Sequence, residues 1–328
     1  MKTQVVPTGT PAERERAVAL AVEHLGRGEV VALPTETVYG LAADALDVEA
    51  SLKIFEAKER PRFDPLIVHL PDRDWLDRLT RVPPADDAVV RALADAFWPG
   101  PLTFVLPRRE LVPDVVTAGL TTVAVRLSAH PVFAEIVRAF ERPLAAPSAN
   151  RFGRISPTTA AHVLGELDGR IELVVDAGAT THGLESTIIA VRRGAIEILR
   201  HGPITAEQLA HFGPVRMSAA SDQPEAPGQL PSHYAPCTPL VLTKDLASFD
   251  PPANARVAAL CFRSVEAEGY APVRTLSASG DTREAAANLF RFLRELDAAA
   301  VDLIVAEEVP ETGLGAAIMD RLRRAAAR

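Results

Sequence analysis

The chain is poor in the residues that build covalent or metal-bound frameworks. Among 328 residues there are two cysteines, Cys237 and Cys261, too few for a disulfide lattice or a cysteine-based zinc site. No stretch approaches the ~18 continuous apolar residues of a membrane span. The opening "MKTQVVPTGTPAERERA" has no apolar run of the secretory-signal type. A reducing, cytoplasmic setting without membrane contact is therefore expected. A basic stripe is missing too. The net charge is −8, with 23 basic against 28 acidic side chains in residues 1–214 and 12 against 15 in the remainder. Tight nucleic-acid binding lacks its electrostatic footing, and a local basic pocket stays open. Lysine is scarce: Lys2, Lys53, Lys58 and Lys244 stand beside 31 arginines. Each is either chance or a place where a compact ammonium suits better than a guanidinium fork. The patterns G-x-x-x-x-G-K-[ST], G-x-S-x-G and H-E-x-x-H are absent, which leaves P-loop, hydrolytic-triad and zinc-protease chemistry without support.

What is present is an alternation of strand-like and helix-like runs. The length suggests about two domains. Helical periodicity over Glu13–Gly26, Val48–Ala57 and Ala88–Phe97 is interleaved with apolar strand candidates at Val30–Leu33, Leu66–Leu70, Leu102–Leu106, Val123–Leu127, Leu144–Ala146, Leu173–Asp176, Ser186–Val191 and Ile196–Leu199. The mixture of hairpin-like strands and crossover helices predicts an α/β fold with a mixed sheet. Residues 1–212 form the expected first domain. Residues 213–238, rich in Pro, Gly and Ser, read as a linker, and 239–328 as a smaller βα domain. In that domain strands at 240–243, 255–262 and 302–309 surround a helix over 282–300, which is capped by Asp281 and presents Leu289, Phe292, Leu293 and Leu296 on one face.

Five stretches of the first domain carry polar groups at strand ends, where ligands of α/β sheets bind. "PTETVYGL" brings Thr35, Glu36 and Thr37 off a buried strand; this is either turn chemistry or a wall facing a ligand, and the small residues after Tyr39 are compatible with a helix start. "AKERPRFDPLIVH" places Lys58, Arg60 and Arg62 in alternation before His69, which in an extended loop would aim three cations at one pocket; a solvated basic loop is the other reading. "FWPGPLT" reads as a rigid scaffold turn. "TTVAVRLSAHP" buries Arg126 in an apolar strand, so it requires an internal carboxylate or a ligand anion. "APSANRFGRISPT" and "GLEST…ILRHGPIT" add Ser148, Asn150, Ser156, Ser186 and Arg200. Together they describe a sizeable anion pocket.

These motifs, in this order, resemble the YrdC-type domain over roughly residues 10–210. With "APGQLPSHYAP" and "GLGAAIMDRLRRAA", nearly the whole chain resembles the long form of that family, the threonylcarbamoyl-AMP synthases. The resemblance implies a twisted mixed sheet with helices and a central cavity, a lid formed by residues 213–238, and a small Rossmann-like domain at 239–328. It implies a nucleotidyltransferase that joins L-threonine, bicarbonate or CO2, and ATP and releases pyrophosphate, with Mg²⁺ held mainly by the phosphates and no metal site of the protein's own. The product would pass to other proteins that modify tRNA beside the anticodon. By matching motif positions, Lys58 and Arg60 would be catalytic and would bind ATP with Arg62, Thr122, Ser148, Asn150, Ser156, Arg200, His233 and Tyr234. Thr35, Tyr39, His69, Arg126 and Ser186 would bind threonine. Gln229 to Ser232 depart from the lid pattern, whereas "HYAP" matches it. The alternatives are a non-enzymatic RNA-binding module and a carbamoyl-adenylate-forming enzyme.

Overall fold

The computed structural model describes residues 2–218, 224–230, 232–263 and 269–327. Residues 219–223 and 231 of the expected linker lie outside the described residues. The chain divides into two compact units, one of residues 1–152, 157–180 and 185–229, the other of residues 153–156, 181–184 and 230–328. The expected linker is thus shared, its first part belonging to one unit and its last part to the other.

The first unit is built on an 11-stranded mixed sheet. Its strands are β1 (Gln4–Pro7), β2 (Val31–Leu33), β3 (Gly40–Asp44), β4 (Ile67–His69), β5 (Leu102–Pro107), β6 (Thr122–Arg126), β7 (Leu144–Ala145), β8 (Leu173–Asp176), β9 (Thr187–Arg192), β10 (Ala195–Arg200) and β11 (Val215–Met217). They lie in the order β1-β8-β2-β3-β7-β4-β6-β5-β9-β10-β11. Parallel pairs (β4 with β6, β5 with β9) alternate with antiparallel ones (β5 with β6, β9 with β10), as the mixture of hairpins and crossovers predicts. One expectation is corrected. The small residues after Tyr39 do not open a helix: Gly40–Asp44 is a fully buried strand that turns back antiparallel on β2. Ala and Gly carry little local preference against such burial, and pairing with β2 and β7 decides the outcome.

Strand alternation sorts the side chains onto two faces. Leu66 and Val68, Val123 and Val125, and Phe104 and Leu106 belong to the main core. Their neighbours Ile67, Ala124 and Val105 join Ile188, Ala190, Leu199 and Ala226 in a smaller cluster. On that smaller face, register places His69 opposite Arg126, Arg126 opposite Thr103, and Thr103 opposite Ile188. The row just behind is Ile67, Ala124 and Val105. Three polar side chains therefore stand in line across three strands, at the edge of an apolar floor.

The second unit has a four-stranded parallel sheet, β12 (Leu240–Thr243), β13 (Val257–Cys261), β14 (Val273–Thr275) and β15 (Leu303–Glu307), in the order β12-β15-β13-β14. Helices Thr282–Asp297 and Gly315–Ala326 complete a Rossmann-like βα pattern. Asp281 caps the first helix by accepting the Arg283 N–H. Its core face carries Leu289, Phe290, Leu293 and Leu296. Phe292, expected there, lies half-buried beneath the Arg291 guanidinium, 4.2 Å from its ring centre.

Candidate functional site

The Thr-Glu-Thr run is turn chemistry and site wall at once. Thr35 Oγ1 donates to the Val38 carbonyl at 2.6 Å and accepts the N–H groups of Thr37 and Val38, closing the turn between β2 and β3. Its oxygen is also 2.8 Å from Thr37 Oγ1, which in turn accepts from Arg126 Nη1 at 2.9 Å. Glu36 lies between them, with Oε1 2.7 Å from Arg126 Nη2. The buried arginine of β6 thus has an internal carboxylate. Arg126 Nε donates to the Gly100 carbonyl at 3.2 Å, so the Trp-Pro-Gly-Pro turn supplies an acceptor as well as scaffold. Burial alone would raise the Glu36 pKa. The Arg126 charge, the Ser128 hydroxyl and the Ala129 N–H prevail and hold the carboxyl at about 2.

His69 sits beside Arg126 with its ring 4.8 Å from that of Phe133. Among the described residues its Nδ1 has no hydrogen-bond partner. Burial, aided by the Arg126 charge, drives its pKa down to about 3. Folded His69 therefore stays neutral where the unfolded chain takes up a proton near 6.5. The unfolded state binds more protons between those values, so stability falls as pH drops below 6.5. From pH 7 to 5 this single residue is expected to remove about 2 kcal/mol. Chemical denaturation across that range, with His69→Gln as the control that lacks this slope, checks it.

The cations of the second motif converge by a different route from the one expected. Residues 57–62 are not an extended loop. Helix Val48–Lys58 ends at Glu59, which adopts a left-handed conformation (φ 54°) and reverses the chain. Lys58 is fully buried, and its Nζ donates to the carbonyls of Ser148 and Asn150 at 2.5 Å each. Arg60 donates to the carbonyls of Asp64 and Pro65 and pairs with the Asp64 carboxylate at 2.8 Å. Arg62 lies on the exposed turn beyond. Asp64, which sequence reasoning passed over, sits buried among charges: burial raises its pKa, while Arg60, Lys58 and Arg200 pull it back. Burial first, and Arg60 second, lower the Lys58 pKa well below that of a free lysine. A polyphosphate at this ammonium raises that pKa again. A polyphosphate bound there would therefore take up protons; calorimetry in buffers of different ionisation enthalpy measures the uptake.

Arg200, whose charge also acts on Asp64, is held among the hydroxyls. Its Nε and Nη2 donate to the Ser186 carbonyl, Nη2 also reaches Ser186 Oγ at 3.1 Å, and Nη1 donates to the Pro227 carbonyl. Ser186 Oγ is 2.8 Å from Thr103 Oγ1, next to Arg126 on the sheet. Gly202 permits this: a Cβ there would come within 2.4 Å of the Thr187 nitrogen. The start of β9 and the end of β10 can therefore touch only with glycine at that position. Gln229, one of the residues departing from the lid pattern, accepts the N–H groups of Glu225 and Ala226 at 2.7 and 3.0 Å. It holds the turn that carries Ala226, and Ala226 packs on the smaller apolar face.

Other expected site residues have surroundings of their own. The Tyr39 hydroxyl donates to the Gly178 carbonyl at 2.7 Å and accepts the Ala177 N–H at 3.2 Å, and its ring is in the main core. Thr122 begins β6, about 13 Å from Arg126 along the strand. Ser156, His233 and Tyr234 belong to the second unit. There Tyr234 is buried, stacked on Phe290 (5.7 Å) and beneath Arg321 (5.0 Å), and the His233 N–H donates to the Arg324 carbonyl. The sequence reading took Glu36 only as part of the Thr-Glu-Thr wall and did not single out Asp64, Thr103 or Ser128, which the structure places beside these cations and hydroxyls. For Asp64 the one available signal was a carboxylate in a turn directly after a basic motif.

A mixed sheet carrying buried cations and hydroxyls, followed by a small parallel βα unit, is the architecture of a two-domain YrdC-like protein. Residues 23–202 match the family described as "Telomere recombination", and residues 204–327 the one described as "Threonylcarbamoyl-AMP synthase, C-terminal domain". The threonylcarbamoyl-AMP synthase of Pyrococcus abyssi is 40% identical over 330 residues, 95% of this chain and 94% of the relative. That of Bacillus subtilis is 41% identical over 325 residues, 94% and 92%. The structure of P. abyssi Sua5 complexed with L-threonine is similar with a TM-score of 0.89 and 37% identity, covering 99% of this chain and 98% of that one. The chain belongs to the threonylcarbamoyl-AMP synthase family in its two-domain form, and is an enzyme of the nucleotidyltransferase type. These relatives support the synthase over an RNA-binding module or a carbamoyl-adenylate enzyme.

Proposed function

We propose that the protein condenses L-threonine, bicarbonate or CO2, and ATP into threonylcarbamoyl-AMP, releasing pyrophosphate, in the cytoplasm. The observation that carries this reading is a set of buried cations and hydroxyls: Arg60 pairs with Asp64, whose carboxyl also feels the Lys58 and Arg200 charges, and Arg200 bonds Ser186, which reaches Thr103 beside Arg126 in the sheet. One end suits a triphosphate and the other a single carboxylate, with hydroxyls between them. Threonine's amine captures CO2 as a carbamate, whose oxygen attacks the α-phosphorus as the bond to pyrophosphate breaks. Charge accumulates on phosphoryl oxygens, so fixed donors and cations lower the barrier most. Lys58, with two of its three N–H groups on carbonyls, keeps one for a phosphate oxygen. Arg200, Ser148 and Asn150 border the nucleotide. Thr35, Ser186 and His69 frame the amino acid, whose carboxylate meets Arg126. A pKa near 3 makes His69 too weak a base near neutral pH; it serves as a polar wall. ATP enters as its magnesium complex. The carboxylate nearest the cations, Asp64, is paired with Arg60, so phosphates and water ligate the ion. The product passes to proteins that transfer its acyl group to tRNA.

Incubation with ¹³C-bicarbonate, threonine and ATP tests the reading. An adenylate one mass unit heavier than its unlabelled form is expected, and an unlabelled adenylate or none overturns it.

A further inference from the structure

The two charged ends of the site are neutralised differently. At the triphosphate end Arg60 pairs with one carboxylate, Asp64, which also feels the charges of Lys58 and Arg200. At the other end Arg126 has a carboxylate of its own, Glu36, at 2.7 Å. Glu36 is itself fastened: Ser128 Oγ donates to its Oε2 at 2.5 Å and the Ala129 N–H to its Oε1 at 3.1 Å. Its neighbours His69 and His130 both have pKa values lowered by burial, so neither imidazole adds to the positive charge. Among the described residues Arg126 and Glu36 are the buried ion pair at this end; Arg14, whose charge reaches His130, is paired with Glu135.

Of the five N–H groups on Arg126, that of Nε is used by Gly100 and one on Nη1 by Thr37, while Nη2 stands 2.7 Å from Glu36 Oε1 as an ion pair without hydrogen-bond geometry. Among the described residues at least one N–H therefore remains on each terminal nitrogen. Two such N–H groups are the pair that grips a carboxylate in bidentate fashion.

We propose that Glu36 is a positioning and specificity-determining residue, which fixes Arg126 in this pose and offsets its charge so that this end accepts an amino acid and repels phosphate. This rests on the reading that Arg126 meets the substrate carboxylate. A single carboxylate with an amine beside it is matched by the Arg126–Glu36 pair. A phosphate dianion meets the same two N–H groups but also a buried like charge, and in a low-dielectric setting that repulsion is severe. The enzyme binds a polyanion and an amino acid side by side, and Glu36 keeps the first out of the second's place.

The test is calorimetry on the full chain with L-threonine, inorganic phosphate and ATP as probes. Wild-type protein is expected to bind threonine with an affinity that phosphate does not change. Glu36→Gln is expected to bind threonine at least tenfold more weakly, to show phosphate competing with threonine, and to keep its ATP affinity within twofold. Glu36→Asp, which restores the charge, is expected to lose the phosphate competition again. Unchanged threonine affinity in Glu36→Gln, or weaker binding without phosphate competition, overturns the proposal. If Glu36→Gln does not fold, Ser128→Ala decides. It keeps the carboxylate and is expected to remain insensitive to phosphate, and phosphate competition there contradicts a role for the charge. Absence of threonine binding by the wild type would instead remove the synthase reading itself.

Discussion

Lys58→Met lowers pyrophosphate release by at least about a thousandfold while leaving the protein folded. The size of the effect follows from the role proposed for the ammonium, a preorganised buried cation, where loss of one such donor costs about 10²–10³ in rate and loss of its charge adds to that. The modest effect on stability follows from its surroundings. Lys58 is fully buried, and burial already opposes its charged form. Methionine removes that penalty and fills nearly the same volume, although it leaves the Ser148 and Asn150 carbonyls without their shared donor. Unpaired buried acceptors cost roughly 1–3 kcal/mol each, and relief of the desolvation penalty offsets part of this. Steady-state pyrophosphate release and thermal unfolding, measured on the same preparation, separate the two effects. Activity above a tenth of the wild type would show that Lys58 only props the 148–150 loop.

Arg126→Met has the opposite profile, a large loss of stability together with loss of threonine use. Removing the guanidinium leaves Glu36 buried, ionised and unpaired, a situation that costs about 3–5 kcal/mol. The double variant Glu36→Gln with Arg126→Met removes both charges and is expected to regain most of that stability. It is not expected to regain turnover with threonine, because the bidentate donor is gone. Denaturant titration of the two single variants and the double gives the coupling energy directly. A coupling near zero would mean that the 2.7 Å contact between Glu36 and Arg126 contributes nothing, and additive losses in threonine affinity would weaken the specificity role of Glu36.

The sequence made the sheet legible where strands were long and apolar. Leu102–Leu106 and Val123–Leu127 alternate between two buried faces, and the structure places β5 and β6 there. It made less of Gly40–Asp44, because small residues suit a helix start and a buried strand equally well. The short strands β1, β11 and β14 carry too few residues to show a period. Arg126 was legible as a buried cation needing a partner, since no apolar strand tolerates an unpaired one. Which partner it has was not legible: Glu36 lies in another motif, brought near only when β4 and β6 pair in parallel and the β2–β3 turn closes on Thr35. Lys58 and Arg60 were identified for their charge, yet their convergence depends on the left-handed Glu59 at a helix end, a conformation the sequence does not announce. Asp64 was hidden for the same reason, its carboxylate meaningful only once Arg60 folds back onto it. Gln229 looked like a departure from a pattern, and its function in holding the 225–229 turn emerges only from the two backbone N–H groups it accepts.

The central claim is that one connected site handles a nucleotide and an amino acid in a single reaction. Pyrophosphate release from ATP and Mg²⁺, measured with threonine and bicarbonate omitted one at a time, tests it most directly. The account predicts release only when both are present, and release without threonine, or none with both, would contradict it.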